Sequence, residues 1–193
     1  MASRGETPSQ TVGPYFSIGL SGPDENVLVA DEVQGERIRV RGRVLDGEGA
    51  PVGDALIEVW QANSLGRYRH PDDSRDDIAL DEGFTGFGRA ATIFETGEYL
   101  IDTIRPGPVP DPEGELQAPH LCLIVQARGL LNPLFTRLYF SDEAEANNHD
   151  LVLRMVPPER RSTLIASHED GDPRVYRFDI RLSGEGEIVF FDV

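Results

Sequence analysis

The chain has 193 residues, enough to bury the core of one domain, and its 34 acidic against 18 basic residues give a formal net charge of −16. A charge of that sign and size repels nucleic-acid phosphates and anionic membranes, so neither fits as a partner. Cys122 is the single cysteine, which excludes an internal disulfide and a cysteine-rich metal site.

Residues 1–35 form an extended N-terminal arm rich in Pro, Gly and acid, with an apolar knot at Val12, Pro14, Tyr15, Phe16 and Ile18. A solvated tail is ordinarily poor in aromatic residues, so this arm is expected to dock on something. It lacks the unbroken apolar core of a signal peptide, and no stretch of the chain approaches 18 apolar residues; a soluble cytoplasmic protein is expected.

Residues 36–193 read as the folded domain. Ile38, Val40 and Val44 share one face of a segment whose other face is Arg37, Arg39, Arg41 and Arg43, the pattern of a half-buried strand. Residues 55–62 follow a turn-like 46–51, and further strands are expected at 89–94, 98–104, 120–128, 135–140, 151–156, 175–183 and 187–192. Helix is scarce: Ser141 is placed to cap 141–146, and Pro158 to open 158–165. The sum is an all-β chain, an antiparallel β-sandwich with long loops, short helices and the arm. Two irregular stretches, 63–88 and the proline-rich 105–119, are expected near one end of it, and loops this long are often functional.

Candidates for chemistry are few. His70-Pro-Asp72 and His168-Glu-Asp170 each supply half of a two-histidine-one-carboxylate iron site, but both sit in polar turns. In a strand, His120 and Cys122 point the same way, a pairing that suits half a metal site, a Cys–His nucleophile, or simply a small buried thiol beside an imidazole. Nucleophile elbows, zinc-binding helices, Walker loops and dinucleotide fingerprints are absent from the sequence.

Ile57-Glu-Val-Trp-Gln-Ala62 followed by Gly66-Arg-Tyr-Arg-His70 resembles the signature of intradiol ring-cleavage dioxygenases. Arg105-Pro-Gly-Pro108, Ala118-Pro-His120 and Thr136-Arg-Leu-Tyr-Phe140 follow in the order and spacing of that family. The resemblance implies cleavage of a dihydroxylated aromatic ring with O2 at Fe(III) held by two tyrosinates and two histidines. Here the pattern departs: the tyrosine positions fall at Arg75 and Val109, the second histidine at Cys122, and an arginine before the histidines at Gln117; only His120 is kept. The chain therefore looks like an iron-free subunit whose metal sits in a partner β subunit of the same family, within a higher hetero-oligomer. Matched residue by residue, Thr11, Gly13, Pro14 and Tyr15 fall where such a subunit's arm lines the partner's pocket, and Arg128 where it offers a substrate-facing cation. An arginine suits a carboxylated substrate because its planar fork donates two parallel hydrogen bonds. Two other readings stay open: a self-sufficient enzyme using His120 and Cys122, and a sandwich that binds a ligand or protein without catalysis.

Overall fold

The computed structural model describes residues 7–13, 15–169 and 171–192. Pro14 and Asp170, both named above, lie outside the described residues. The elements run α1 (Tyr15–Leu20), β1 (Arg37–Leu45), β2 (Leu56–Trp60), β3 (Phe87–Ala91), β4 (Glu98–Ile104), β5 (Val109–Pro110), β6 (Leu116–Gln117), β7 (His120–Gln126), β8 (Leu134–Phe140), α2 (Ala144–His149), α3 (Leu151–Met155), a 3-10 segment (Pro158–Leu164), β9 (Ile165–Glu169), β10 (Asp172–Arg177) and β11 (Ile180–Arg181). Among the described residues, no helix is long and apolar enough to cross a membrane.

The domain is all-β, as the alternation of apolar and polar residues predicts, and β1 shows why: Ile38, Val40 and Val44 are buried while its four arginines face out. The pairing is mixed, however, where the sequence suggests antiparallel neighbours throughout. β1 runs parallel to β10 and β11, and β8 parallel to β9. Nine strands make one sheet in the order β11-β1-β10-β9-β8-β7-β2-β3, with β4 also paired to β1, while β5 and β6 pair apart as a two-stranded sheet. The sheet is thereby nearly closed and barrel-like.

The parallel step has a specific origin. Parallel neighbours need a long crossover, usually helical, and residues 144–164 supply one between β8 and β9. The sequence reading hides it by assigning 151–156 to a strand. Leu151-Val-Leu-Arg-Met155 satisfies either period, and the choice is made by Asp150, fully buried, whose side chain accepts a hydrogen bond from the Leu153 amide at 2.8 Å as a helix N-cap. Three further boundaries differ. Ser141 does not cap, because its amide stays bonded to Ala166 O and the helix opens later with Glu143 as an N-cap whose side chain makes no capping bond. Residues 158–164 wind as a 3-10 segment with Pro158 in its first turn. Residues 187–192 form no strand and join the sheet through the isolated bridge of Phe135 to Phe191, the Ile188 amide donating to Arg181 O and the Thr136 hydroxyl donating to Val189 O.

The last part of the arm belongs to the barrel itself. The Arg89 amide donates to Glu25 O and the Thr85 amide to Leu28 O, while the Asp102 amide donates to Asn26 O and the Leu28 amide to Asp102 O. Residues 25–30 thus fill the seam between β4 and the chain entering β3, with the Leu28 side chain fully buried beneath them. Before this seam, Thr7 to Gly13 carry no regular structure, and α1 presents Tyr15 and Ile18, 81 % and 71 % exposed.

The two irregular stretches do meet, as expected. The Gly107 amide donates to Asn63 O at 2.9 Å, and Gly66, at φ +81°, lies so near that a Cβ there would stand 2.0 Å from Pro108 O. Loop 63–88 is ordered from within: the Asn63 side chain accepts from the Leu65 and Arg67 amides and donates to Ala79 O.

Candidate functional site

Strands β2, β7 and β8 lie side by side, and their register sets Trp60, Cys122 and Arg137 in one row, with His120 opposite Tyr139 in the next. Even-numbered residues of β7 face away from the main core, so His120 and Cys122 share this outer face as the strand period requires. Tyr68 and His70 cover the row from the long loop: Trp60 stacks on Tyr68 with centroids 5.8 Å apart and meets His70 edge-on at 5.8 Å.

His120 is buried, and its Nδ1 lies 2.7 Å from Ala118 O. A carbonyl can only accept, so Nδ1 carries the proton and Nε2 keeps its lone pair, the form in which imidazole ligates metals. Burial, aided by the Arg137 cation, holds this imidazole down at about 4. Burial also pushes the Cys122 thiol up, opposed in part by Arg137, and pushes the Tyr68 and Tyr139 phenols well up. All three therefore stay protonated at neutral pH in the chain as it stands. Arg137 Nη1 donates to Gln117 Oε1 at 2.8 Å and to Tyr139 Oη at 3.3 Å, so a fixed cation stands at the β8 end of the row, next to Cys122.

Arg75 and Val109 supply no donor either. Arg75 is locked to Asp73, with Nε to Oδ1 at 2.8 Å, and its Nη2 donates to Gly66 O at 2.8 Å. This hydrogen-bonded guanidinium, together with the Tyr68 and Arg75 amides, holds the Asp73 carboxyl down at about 2. Val109 is a buried hydrocarbon in β5. Among the described residues, no group of three or more His, Cys, Asp or Glu side chains is placed to hold a metal ion. Beside the row lies an apolar groove of about 830 Å³, lined in part by Trp60, Phe87, Ile124, Phe135, Met155 and Phe191.

The arm residues gather elsewhere. Thr11 Oγ1 accepts a hydrogen bond of 2.7 Å from the Gly129 amide, which brings the arm to the far end of β7 beside Arg128. Gly13 and Tyr15 follow, both exposed, with the Phe16 amide donating to Gly13 O at 3.1 Å. Arg128 is half-exposed and its Nε is ion-paired with Asp54 Oδ2. Six residues of strand separate Cys122 from Arg128, which is about 20 Å. One small aromatic molecule cannot touch both.

The remaining histidines make structural contacts. His70 sits in a turn, with its Nδ1 3.2 Å from the Asp72 amide; His149 Nδ1 donates to Glu145 O at 2.8 Å. His168 Nε2 lies 3.4 Å from Asp142, within a cluster in which Arg105 binds Asp142, Glu143 and the Tyr176 hydroxyl. Sequence reasoning singled out neither Arg137 nor Asp54. Each is set by cross-strand register, a signal that appears only once the pairing of β7 is known.

A family model described as "Dioxygenase" matches residues 11–184. The chain is 45% identical, over 97% of its length and 96% of the relative's, to a protocatechuate 3,4-dioxygenase alpha chain of Pseudomonas putida. It is 36% identical to the protocatechuate 3,4-dioxygenase beta chain of Burkholderia cepacia over 83% of this chain and 70% of that one. Its structure is similar to the dioxygenase domain of a dioxygenase–carbohydrate-binding fusion from Streptomyces sp. SirexAA-E, with a TM-score of 0.61 and 27% identity, covering 92% of this chain and 98% of that one.

Proposed function

Since the chain belongs to the intradiol dioxygenase family, we propose that it serves as the alpha chain of a protocatechuate 3,4-dioxygenase, completing an active site whose iron is held by a beta chain. The reaction adds both atoms of O2 to 3,4-dihydroxybenzoate, opening the ring between its hydroxylated carbons to give 3-carboxy-cis,cis-muconate. The family uses iron, and the observation that carries the reading is the donor chemistry at the family's ligand positions. One imidazole, one thiol, an arginine tied to Asp73 and a valine do not make the family's ferric site of two tyrosinates and two histidines, and Arg137 adds a cation beside them. No step of the chemistry is therefore assigned to His120 or Cys122.

The contribution of this chain is positional and electrostatic. Arg128 offers its charge to the substrate carboxylate. Thr11, Gly13, Pro14 and Tyr15 wall the partner's pocket and exclude water from it. The separation of about 20 Å between Cys122 and Arg128 supports this, because an arginine that far along β7 cannot serve a small ligand bound at His120 and Cys122. The arm's exposed Tyr15 and Ile18 provide apolar surface suited to such an interface. The assembled form is a hetero-oligomer of these pairs, located in the cytoplasm.

Iron analysis and visible absorption of the chain purified alone and with a beta chain test the proposal. The expected result is a colourless, iron-free chain alone and a coloured complex with iron in proportion to the beta chain. Stoichiometric iron with ring-cleaving activity in the isolated chain would overturn it.

A further inference from the structure

Asp54 and Arg128 stand opposite each other for a reason visible in the register. β2 and β7 pair antiparallel with Leu56 against Gln126 and Glu58 against Ile124; two residues further out on each strand, the same register places Asp54 against Arg128. Cross-strand neighbours on one face are the pairs that interact most directly.

The Asp54 backbone is fixed on both sides. Gly53 lies so close to the neighbouring hairpin that a Cβ would meet Phe94 O at 2.0 Å. Ala55 is fully buried and its amide donates to Thr92 Oγ1 at 3.0 Å, while that hydroxyl donates to Val52 O at 2.9 Å. The Asp54 side chain is itself only 16 % exposed, against 52 % for Arg128. The carboxylate is the anchored member of the pair and the guanidinium the more exposed one.

It grips Arg128 by Nε, and among the described residues nothing binds the two terminal nitrogens. Those two nitrogens form the end of the fork that receives a carboxylate bidentately. The geometry points to Asp54 as a positioning residue that holds Arg128 by its inner nitrogen so that the outer pair faces an aromatic carboxylate. This rests on the placement of Arg128 at the substrate given above. Without Asp54, a long exposed side chain would have to be ordered at the moment of binding, and that lost freedom weakens affinity.

The test uses the assembled alpha–beta enzyme with Asp54→Ala, Asp54→Asn, Arg128→Ala and the double variant Asp54→Ala/Arg128→Ala. The readouts are KM and kcat for 3,4-dihydroxybenzoate and the inhibition constant for catechol, the same diol without the carboxylate. Both Asp54 variants should raise the ratio of that KM to the catechol constant by about three- to tenfold, with kcat changed less. The double variant should be no worse than Arg128→Ala alone, since Asp54 acts through Arg128. If Arg128→Ala raises the ratio while both Asp54 variants leave it unchanged or lower it, the positioning role is wrong and the placement of Arg128 survives. If Arg128→Ala itself leaves the ratio unchanged, Arg128 is not at the substrate and Asp54 loses its role with it. Equal weakening of both ligands would mark Asp54 as a structural residue and overturn the inference.

Discussion

His120 gives the most direct measure of how the outer row is built. Its imidazole is held neutral at about 4 against an ordinary 6.5, chiefly by burial and secondarily by Arg137. Between those two values the unfolded chain binds a proton that the folded chain refuses, so stability falls as pH drops through this window and the loss levels off below about 4. Two and a half units correspond to about 3 kcal/mol in total, of which about 2 kcal/mol is already lost at pH 5 relative to pH 7 or above. Denaturant unfolding of the chain and of His120→Gln at the two pH values isolates this contribution. The native chain should lose about 2 kcal/mol more than the variant. The imidazole carbon-bound proton should also keep its neutral NMR shift down to near pH 4. Titration of His120 near 6.5, or the same loss of stability in both proteins, would refute the burial argument and reopen the site to solvent.

Three other outcomes follow from the same contacts. Arg128→Ala in the assembled enzyme should raise KM for 3,4-dihydroxybenzoate by about tenfold to a hundredfold, the worth of a charge-assisted hydrogen bond, as read by steady-state kinetics. Deleting residues 1–24 should leave the fold intact by thermal unfolding, whereas deletion through Ala30 removes Leu28 and its backbone bonds and should cost several kcal/mol, about what burying one such side chain and pairing its amides contributes. Asp150→Ala removes a buried carboxylate that accepts from the Ala118 amide at 2.9 Å, the Leu153 amide at 2.8 Å and the Tyr139 hydroxyl at 3.1 Å. It should lower stability by about 3 kcal/mol or more in a denaturant titration.

What could be read without coordinates is what depends on neighbours along the chain. The alternation in 37–45 gives β1 and its buried face directly, and the period of two puts His120 and Cys122 together. Leu151–Met155 reads equally as strand or helix because five residues of mixed apolar character fit both periods, and the buried cap that decides between them acts from Asp150 with help from β8. Pairs remote in sequence stay hidden for a different reason. Thr11 and Gly129, or Asp54 and Arg128, meet only because β7 lies beside β2 and the arm crosses its end. The family motifs point to Arg128 and Thr11; they include Arg137 without indicating its place beside Cys122, and they do not reach Asp54.

The seam at residues 25–30 has a consequence for how this chain meets any partner. By occupying the open hydrogen-bonding groups of β4 and of the chain entering β3, it leaves little free strand edge there for another polypeptide to extend. Recognition on that flank must then be read out by side-chain shape and charge, and runaway sheet-to-sheet stacking has no template there.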